Sequence, residues 1–299
     1  MRRARYPDEK GHVERDRVRV FYELYGDGFP TVLLLPTWSV VHSRAWKAQI
    51  PYLARHFRVV TLDGRGNGRS DRPPGVDSYI PDEFVADAVA VLDETRTEQA
   101  VAVGWSLGAA FGVHLAAQHP ARILGLACIA PLVASARPRS RAIPLTMFNL
   151  PLPVHPGWAK YNRRYMRIHQ REFLEWFARV NCSDPHSTRQ IEDQIAWGME
   201  TDGDTLSRTA AGFVGLSTLI RLHRDTRRLR CPVLVIHGTG DRNQPHRDGQ
   251  AFAHSTGARL VSIEAGHAVH ARKPVQVNIT LREFVQSLVP VQEPEHDGV

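Results

Sequence analysis

The chain has 299 residues, 42% of them hydrophobic, and carries a formal net charge of +7 with a pI near 9.7. That length and apolar fraction supply a large buried core and exclude a disordered or fibrous chain. The basic balance does not make a nucleic-acid binder: only four of the basic residues are lysines, the arginines are dispersed, and none of their short clusters (Arg2-Arg3-Arg5, Arg137-Arg139-Arg141, Arg163-Arg164-Arg167, Arg221 to Arg230) accompanies a binding motif.

From the N-terminus, Met1 to His12 is charged and lacks the apolar segment of a secretory signal, and no run of about 18 apolar residues follows, so a cytoplasmic protein without a membrane span is expected. Strand patterns fall at about 18–25, 31–36, 57–62, 100–105, 123–130, 232–237 and 258–264. From the second onward they alternate with helical patterns near 44–55, 82–96, 107–119, 246–256 and 274–288, which predicts an α/β fold with a mainly parallel sheet covered on both faces. Residues beyond Pro290 read as a polar tail.

The fourth of these strands, Ala100-Val101-Ala102-Val103, runs into Gly104-Trp105-Ser106-Leu107-Gly108. A G-x-S-x-G pentapeptide between a strand and a helix holds its serine in a tight, strained turn, with the oxygen lifted out of the sheet. Gly104 and Gly108 relieve the crowding on either side of that turn. The following helix, with alanines and Val113 at helical spacing, stops before Pro120, and the Leu107 amide at its start points where an oxyanion would form.

An activated serine needs an imidazole to take its proton and a carboxylate to orient the imidazole. Cys231 to Gly238 (CPVLVIHG) is a strand pattern whose end opens into the polar turn Thr239 to Pro245, making Asp241 the acid; a turn-forming Asx residue is the alternative reading of Asp241. Arg259 to Glu264 is another strand pattern, followed by Ala265-Gly266-His267, making His267 the base. His270, three residues on, is the other possible base, whereas His237 lies inside a strand and reads as a core or loop-bracing histidine. The competing position for the acid, after the strand at 123–130, is empty: Pro131 to Arg171 contains no acidic residue. Serine, acid and histidine thus all follow strands, the edge where parallel sheets collect their chemistry.

Residues 135 to 224 interrupt the alternation. They begin with the loop-like Ala136 to Arg141 and the proline-spaced run Pro144 to Pro156, then turn helical around Lys160 to Val180, His186 to Glu200 and Thr205 to Leu222. Trp158, Tyr161, Tyr165, Phe173, Trp176, Phe177, Trp197 and Phe213 concentrate there. About two thirds of these rings are expected to form the insertion's own core, because aromatics supply most of the buried area in small helical units.

Together these segments resemble the α/β-hydrolase family, from about Val18 to Val289. The resemblance adds Asp63-Gly64-Arg65-Gly66-Asn67-Gly68-Arg69-Ser70, similar to the family's D-x-R-G-x-G-x-S turn, and H-G-x-x-D at His237 to Asp241 with A-G-H at Ala265 to His267. It implies a core of residues 1–134 and 225–299 with 135–224 inserted as a helical cap over the nucleophile. It also implies a hydrolase in which Ser106 attacks an ester-like carbonyl, His267 is the base, Asp241 fixes the imidazole tautomer, and the amides of Leu107 and Trp38 hold the oxyanion. The chain departs from the family at Pro36-Thr37, where His-Gly is usual after the third strand. That change removes one backbone N–H and stiffens the entry to the oxyanion loop.

Trp38, Trp105, Trp158, Tyr161 and Tyr165 are expected to contact a small, partly apolar substrate, although the Trp38 ring also has a simpler role in packing against the cap. Serine at the turn disfavours epoxide opening and dehalogenation, which in the resembling enzymes need a carboxylate nucleophile; ester, lactone, amide and carbon–carbon hydrolysis and cofactor-free peroxide chemistry stay open. A slow-turnover ligand-binding or signalling homologue, or an acyltransferase, would keep the same residues. No cofactor is expected. Cys128, Cys182 and Cys231 are too few and too scattered for a metal site or a disulfide framework.

Overall fold

The computed structural model describes residues 3–132 and 147–289. Eight strands form one sheet in the order β1-β2-β4-β3-β5-β6-β7-β8. They are β1 (Glu9–Arg15), β2 (Val18–Tyr25), β3 (Thr31–Leu34), β4 (Arg58–Leu62), β5 (Ala100–Trp105), β6 (Ile123–Ile129), β7 (Val233–Gly238) and β8 (Arg259–Ile263). The first two pair antiparallel with each other, as do β2 and β4; every pairing from β4 through β8 is parallel. The central strands β3, β5 and β7 are buried at every position, because helices cover both faces, so their sequences are continuous apolar runs instead of alternating ones.

The helices are α1 (Ile50–Leu53), α2 (Pro81–Glu94), α3 (Leu107–Gln118), α4 (Arg163–Ile168), α5 (Gln170–Asn181), α6 (Thr188–Gly198), α7 (Gly203–Phe213), α8 (Leu216–Thr226), α9 (His246–Thr256), α10 (Val269–Arg272) and α11 (Pro274–Ser287). α3 is buried along almost its whole length and packs on β5 and β6, which is why its sequence is alanine- and glycine-rich. Among the described residues no helix is long and apolar enough to cross a membrane.

Three local expectations are revised. β1 lies within and just after the segment read as a charged start: it is an exposed edge strand, with polar residues on both faces, and the Asp16-Arg17 turn that joins it to β2 takes positive φ (52° and 64°) without the usual Asn-Gly signal. The helix expected at 44–55 is a 3₁₀ turn, Ser43–Trp46, followed by the single turn α1. The helical segments expected at 160–180 and 205–222 are each split, at His169 and at Val214-Gly215, into α4 and α5 and into α7 and α8. The loop-like run Ala136 to Arg141, Pro144 and the tail from 290 onward lie outside the described residues.

The helices α4 to α8 lie between β6 and β7 and are tied to the strand-bearing part at several points. Trp38 Nε1–H donates to Thr209 Oγ1 (2.9 Å), Asn67 Nδ2 donates to the Trp197 carbonyl (3.2 Å), and Lys47 pairs with Asp193. His114 Nδ1 donates to Asp225 Oδ2 (2.8 Å), joining α3 to α8, and Gly212 of α7 packs so closely on the Tyr79 carbonyl that a Cβ there would approach it to 2.3 Å.

Candidate active site

Ser106 sits at the junction of β5 and α3 with φ 57° and ψ −118°, a conformation that L-residues rarely adopt. The flanking glycines show why it is held there. A Cβ on Gly104 would lie 2.2 Å from the Gly108 carbonyl, and one on Gly108 would lie 2.4 Å from the Pro36 carbonyl. The turn is therefore clasped between its own helix and the loop after β3. The strain is borne by backbone bonds: Ser106 N–H donates to Ile129 O (2.9 Å), and Ser106 O accepts from the amides of Ala109 and Leu132.

The loop after β3 is braced from below by the Asp63 to Ser70 turn. Asp63 accepts the amides of Ser43 (3.0 Å) and Arg69 (2.9 Å), Ser39 Oγ–H donates to the Arg65 carbonyl (3.0 Å), and Asn67 Nδ2 donates to the Ser39 carbonyl (2.7 Å). Arg65, almost wholly buried, forms a two-pronged pair with Asp87 at 2.7 Å on each oxygen. The motif thus acts as a rigid support for the segment that carries Thr37 and Trp38. Among the described residues, the amides of Trp38 and Leu107 donate to no protein acceptor.

β7 and β8 deliver the other two residues. Asp241 Oδ2 accepts from His267 Nδ1 at 2.8 Å, and both side chains are buried. Because a carboxylate only accepts, the imidazole carries its proton on Nδ1, which leaves Nε2 as the acceptor. Asp241 Oδ1 accepts the amides of Asn243 (2.8 Å) and Gln244 (2.7 Å), so the residue is both an Asx turn and the imidazole's partner, one oxygen for each. Burial pushes the Asp241 carboxyl up, but the charge of His267 and hydrogen bonds from His237, His267 and the Gln244 amide outweigh it and hold the group well below the usual carboxylate range.

The loop that carries His267 is pinned on both sides. Trp105 Nε1–H donates to the His267 carbonyl (2.9 Å), Ala268 N–H donates to the Asn181 carbonyl (3.1 Å), and Gly266 N–H donates to Asp184. Asn243 Nδ2 donates to Asn181 Oδ1 (2.7 Å), so the end of α5 joins the loops carrying Asp241 and His267. None of Asn181, Asp184, Asn243 and Gln244 was expected from the sequence. Only the spacing of 243 and 244 from an Asx-turn aspartate could have pointed to any of them.

His270, the alternative base, is buried between the rings of Trp46 and Trp105, at 5.1 and 4.5 Å. Burial, with His267 adding to it, pushes its imidazole down to about 3. It does not line the cavity described next.

Ser106 and His267 line one cavity of about 210 Å³. No hydrogen bond joins their side chains in this structure. Its lining combines apolar residues, among them Trp105, Leu132, Trp158, Tyr161, Phe177 and Phe213, with the polar Asn181, Arg242, Asn243 and Gln244. Half of the eight aromatics singled out in the insertion reach this cavity: Trp158, Tyr161, Phe177 and Phe213. Tyr165 does not. It faces away, stacked on His169 and donating to Glu172 (3.0 Å), so its expected substrate contact is corrected: α4 turns that ring toward its own neighbours. Trp38 lines the cavity, but its ring stands among Tyr161, Phe173, Phe177 and Phe213 at 5.2–5.8 Å, the packing role foreseen for it.

The chain is 24% identical over 298 residues to the non-heme chloroperoxidase of Streptomyces lividans, covering 91% of this chain and 98% of that one. It is 25% identical over 268 residues to the pimeloyl-[acyl-carrier protein] methyl ester esterase of Aeromonas hydrophila subsp. hydrophila, covering 89% and 99%. The solved structure of the enol-lactonase from Burkholderia xenovorans LB400 superposes with a TM-score of 0.76 at 21% identity, covering 92% of this chain and all of that one. Residues 30–274 match the α/β-hydrolase fold family, and with the sheet order and strand-end loops described above the chain belongs to that family.

Proposed function

We propose that this protein is a serine hydrolase that cleaves an ester-like carbonyl compound through a covalent acyl-enzyme. The observation that carries the reading is the 2.8 Å Asp241–His267 hydrogen bond, which fixes the imidazole tautomer beside a cavity that also exposes Ser106. In the proposed reaction Ser106 Oγ attacks the carbonyl carbon and its proton passes to His267 Nε2. The imidazolium formed is stabilised by Asp241. The negative oxygen is received by the free amides of Trp38 and Leu107. His267 then gives its proton to the leaving group as its bond to the acyl carbon breaks, takes one from water as the hydroxide adds to that carbon, and returns it to Ser106 Oγ as the acyl–Oγ bond breaks and the acid departs. The Ser106–His267 bond is expected to form as substrate fills the cavity, since catalytic hydrogen bonds commonly tighten only in the complex.

Within the proposed cap of residues 135–224, Trp158, Tyr161, Phe177, Phe213, Val214 and Leu219 line the cavity, and in this reading they exclude water from the reacting carbonyl. Arg242 is the only Asp, Glu, Lys or Arg among the described residues lining the cavity, and it makes no ion pair or hydrogen bond with a described residue. The substrate class that fits is a small ester or lactone whose apolar portion meets Trp158, Tyr161, Phe177 and Phe213 and which also carries a polar or anionic group for Arg242. The pimeloyl ester esterase and enol-lactonase relatives accord with such carbonyl chemistry.

Labelling by a fluorophosphonate, mapped by mass spectrometry, tests the reading. An adduct on Ser106 that disappears in His267→Ala is expected, together with turnover of short p-nitrophenyl esters. A chain that binds such esters without releasing nitrophenol would instead be the ligand-binding homologue.

A further inference from the structure

His237 is fully buried in β7, a strand otherwise made of Val233, Leu234, Val235 and Ile236 before Gly238. An imidazole there is costly unless its nitrogens are used. Nε2 lies 3.1 Å from Asp241 Oδ2 and 2.9 Å from the Gln244 carbonyl oxygen, both acceptors, so it must carry the proton and share it between them. Nδ1 is buried without a partner and rests against Gly249 of α9, where a Cβ would lie 2.0 Å from it. The glycine makes room for the ring. A leucine in this strand would fill the same space with no orphaned nitrogen, so the retained imidazole points to the work done by Nε2.

We propose that His237 is a positioning residue of the hydrolytic site: its Nε2–H holds Asp241 Oδ2 in place and shares the charge that this oxygen would otherwise direct at His267 alone. The inference rests on the hydrolase reading for its catalytic meaning. With His237 counted, Asp241 accepts four hydrogen bonds, two on each oxygen, which uses all of its acceptor directions. The carboxylate cannot swing away from His267 without breaking three other bonds. Each extra donor also takes up part of the carboxylate's charge, leaving less of it to act on the Nδ1 proton of His267.

The titratable and charged groups on the elements packed around His237 are few. His267 follows β8 and His270 lies in α10; His246 and Asp248 come from α9, the former with its ring 5.4 Å from that of His237. Arg242 adjoins Asp241, Asp184 sits on the Gly266 amide, and Glu264 is exposed at the end of β8. From β6, paired with β7, comes the thiol of Cys128, pushed up by burial.

Two measurements test the proposal. In ¹⁵N-histidine spectra of the wild-type protein, His237 is expected to remain the neutral Nε2–H tautomer throughout the titration of His267; an Nδ1–H tautomer overturns it. In His237→Phe the His267 titration and the acid limb of kcat/KM are expected to move up by about 0.5–1 pH unit. His237→Gln, which restores an N–H near the same place, should return both toward wild type. A folded phenylalanine variant whose His267 titrates as in the wild type leaves His237 merely structural and overturns the proposal, as does a glutamine variant that behaves like the phenylalanine one. Because the spectra need no turnover, this failure is distinct from that of the hydrolase reading, which falls if fluorophosphonate leaves Ser106 unlabelled.

Discussion

At the scale of the residue, the proposed chemistry depends on burial forcing protons into particular places. Asp241 is held ionised by four donors, His237 and His267 each present one N–H to it, and His270 is kept neutral by the rings of Trp46 and Trp105. If Ser106 is the nucleophile, Ser106→Ala should lower ester turnover by at least ~10³-fold with the fold intact, as loss of a triad serine does elsewhere; comparable turnover in the variant would remove the assignment. His270 offers a prediction about stability instead. Its folded value of about 3 lies below the unfolded 6.5, so the unfolded chain binds the proton first as pH falls. The contribution is fully present above about 6.5 and is lost as pH drops toward 3, at ~1.4 kcal/mol per unit, or about 2 kcal/mol by pH 5. Denaturant titrations at pH 7 and pH 5 should therefore show a smaller loss in His270→Phe than in the wild type. Parallel losses in the two proteins would mean that this imidazole is not what the acid attacks.

At the scale of the element, the strand-to-helix turn and the loop after β3 are one unit, since Gly108 and the Pro36 carbonyl occupy adjoining space. A methyl group at 108 has to displace the backbone that carries Trp38, moving one proposed oxyanion donor relative to the other. Gly108→Ala is expected to cut kcat by ~10²-fold while KM changes little, because a displacement of about 1 Å in a donor costs that much. An unchanged kcat would show that the Trp38 amide takes no part. These elements also explain what could be read in advance. Ser106, Asp241 and His267 each follow closely on a strand, so local pattern and chain order were enough to single them out as candidates. Asn181, Arg242 and His237 were not legible as site residues, because what assigns them is a contact between segments: α5 against the two loops, a cavity wall, an imidazole inside a strand reaching the next turn. β1 escaped for another reason. An exposed edge strand has no buried face to impose an alternation, and its turn lacks glycine or asparagine. Tyr165 was placed by composition alone, and composition says nothing of which way a helix turns its rings.

At the scale of the whole molecule, charge and cavity act in the same direction. The chain carries a formal +7, and the described residue that brings a full charge to the cavity wall is a cation, Arg242. A positive surface concentrates anionic molecules near a mouth of the same sign as itself, and added salt screens that attraction over a Debye length of about 8 Å at physiological ionic strength. A hemiester bearing a free carboxylate should then have a higher kcat/KM at low salt than the methyl-capped neutral ester of equal length, and should lose that advantage as salt rises. Arg242→Gln is expected to raise KM for the carboxylate substrate by about 10-fold, in keeping with the loss of one charge-assisted hydrogen bond, and to leave the neutral ester nearly unaffected. The two effects separate cleanly. Salt sensitivity that survives in Arg242→Gln belongs to the general surface charge, whereas specificity that disappears with it belongs to the cavity. Equal responses of both esters to salt and to the substitution would place Arg242 outside substrate recognition and leave the polar contacts of the cavity to Asn181, Asn243 and Gln244.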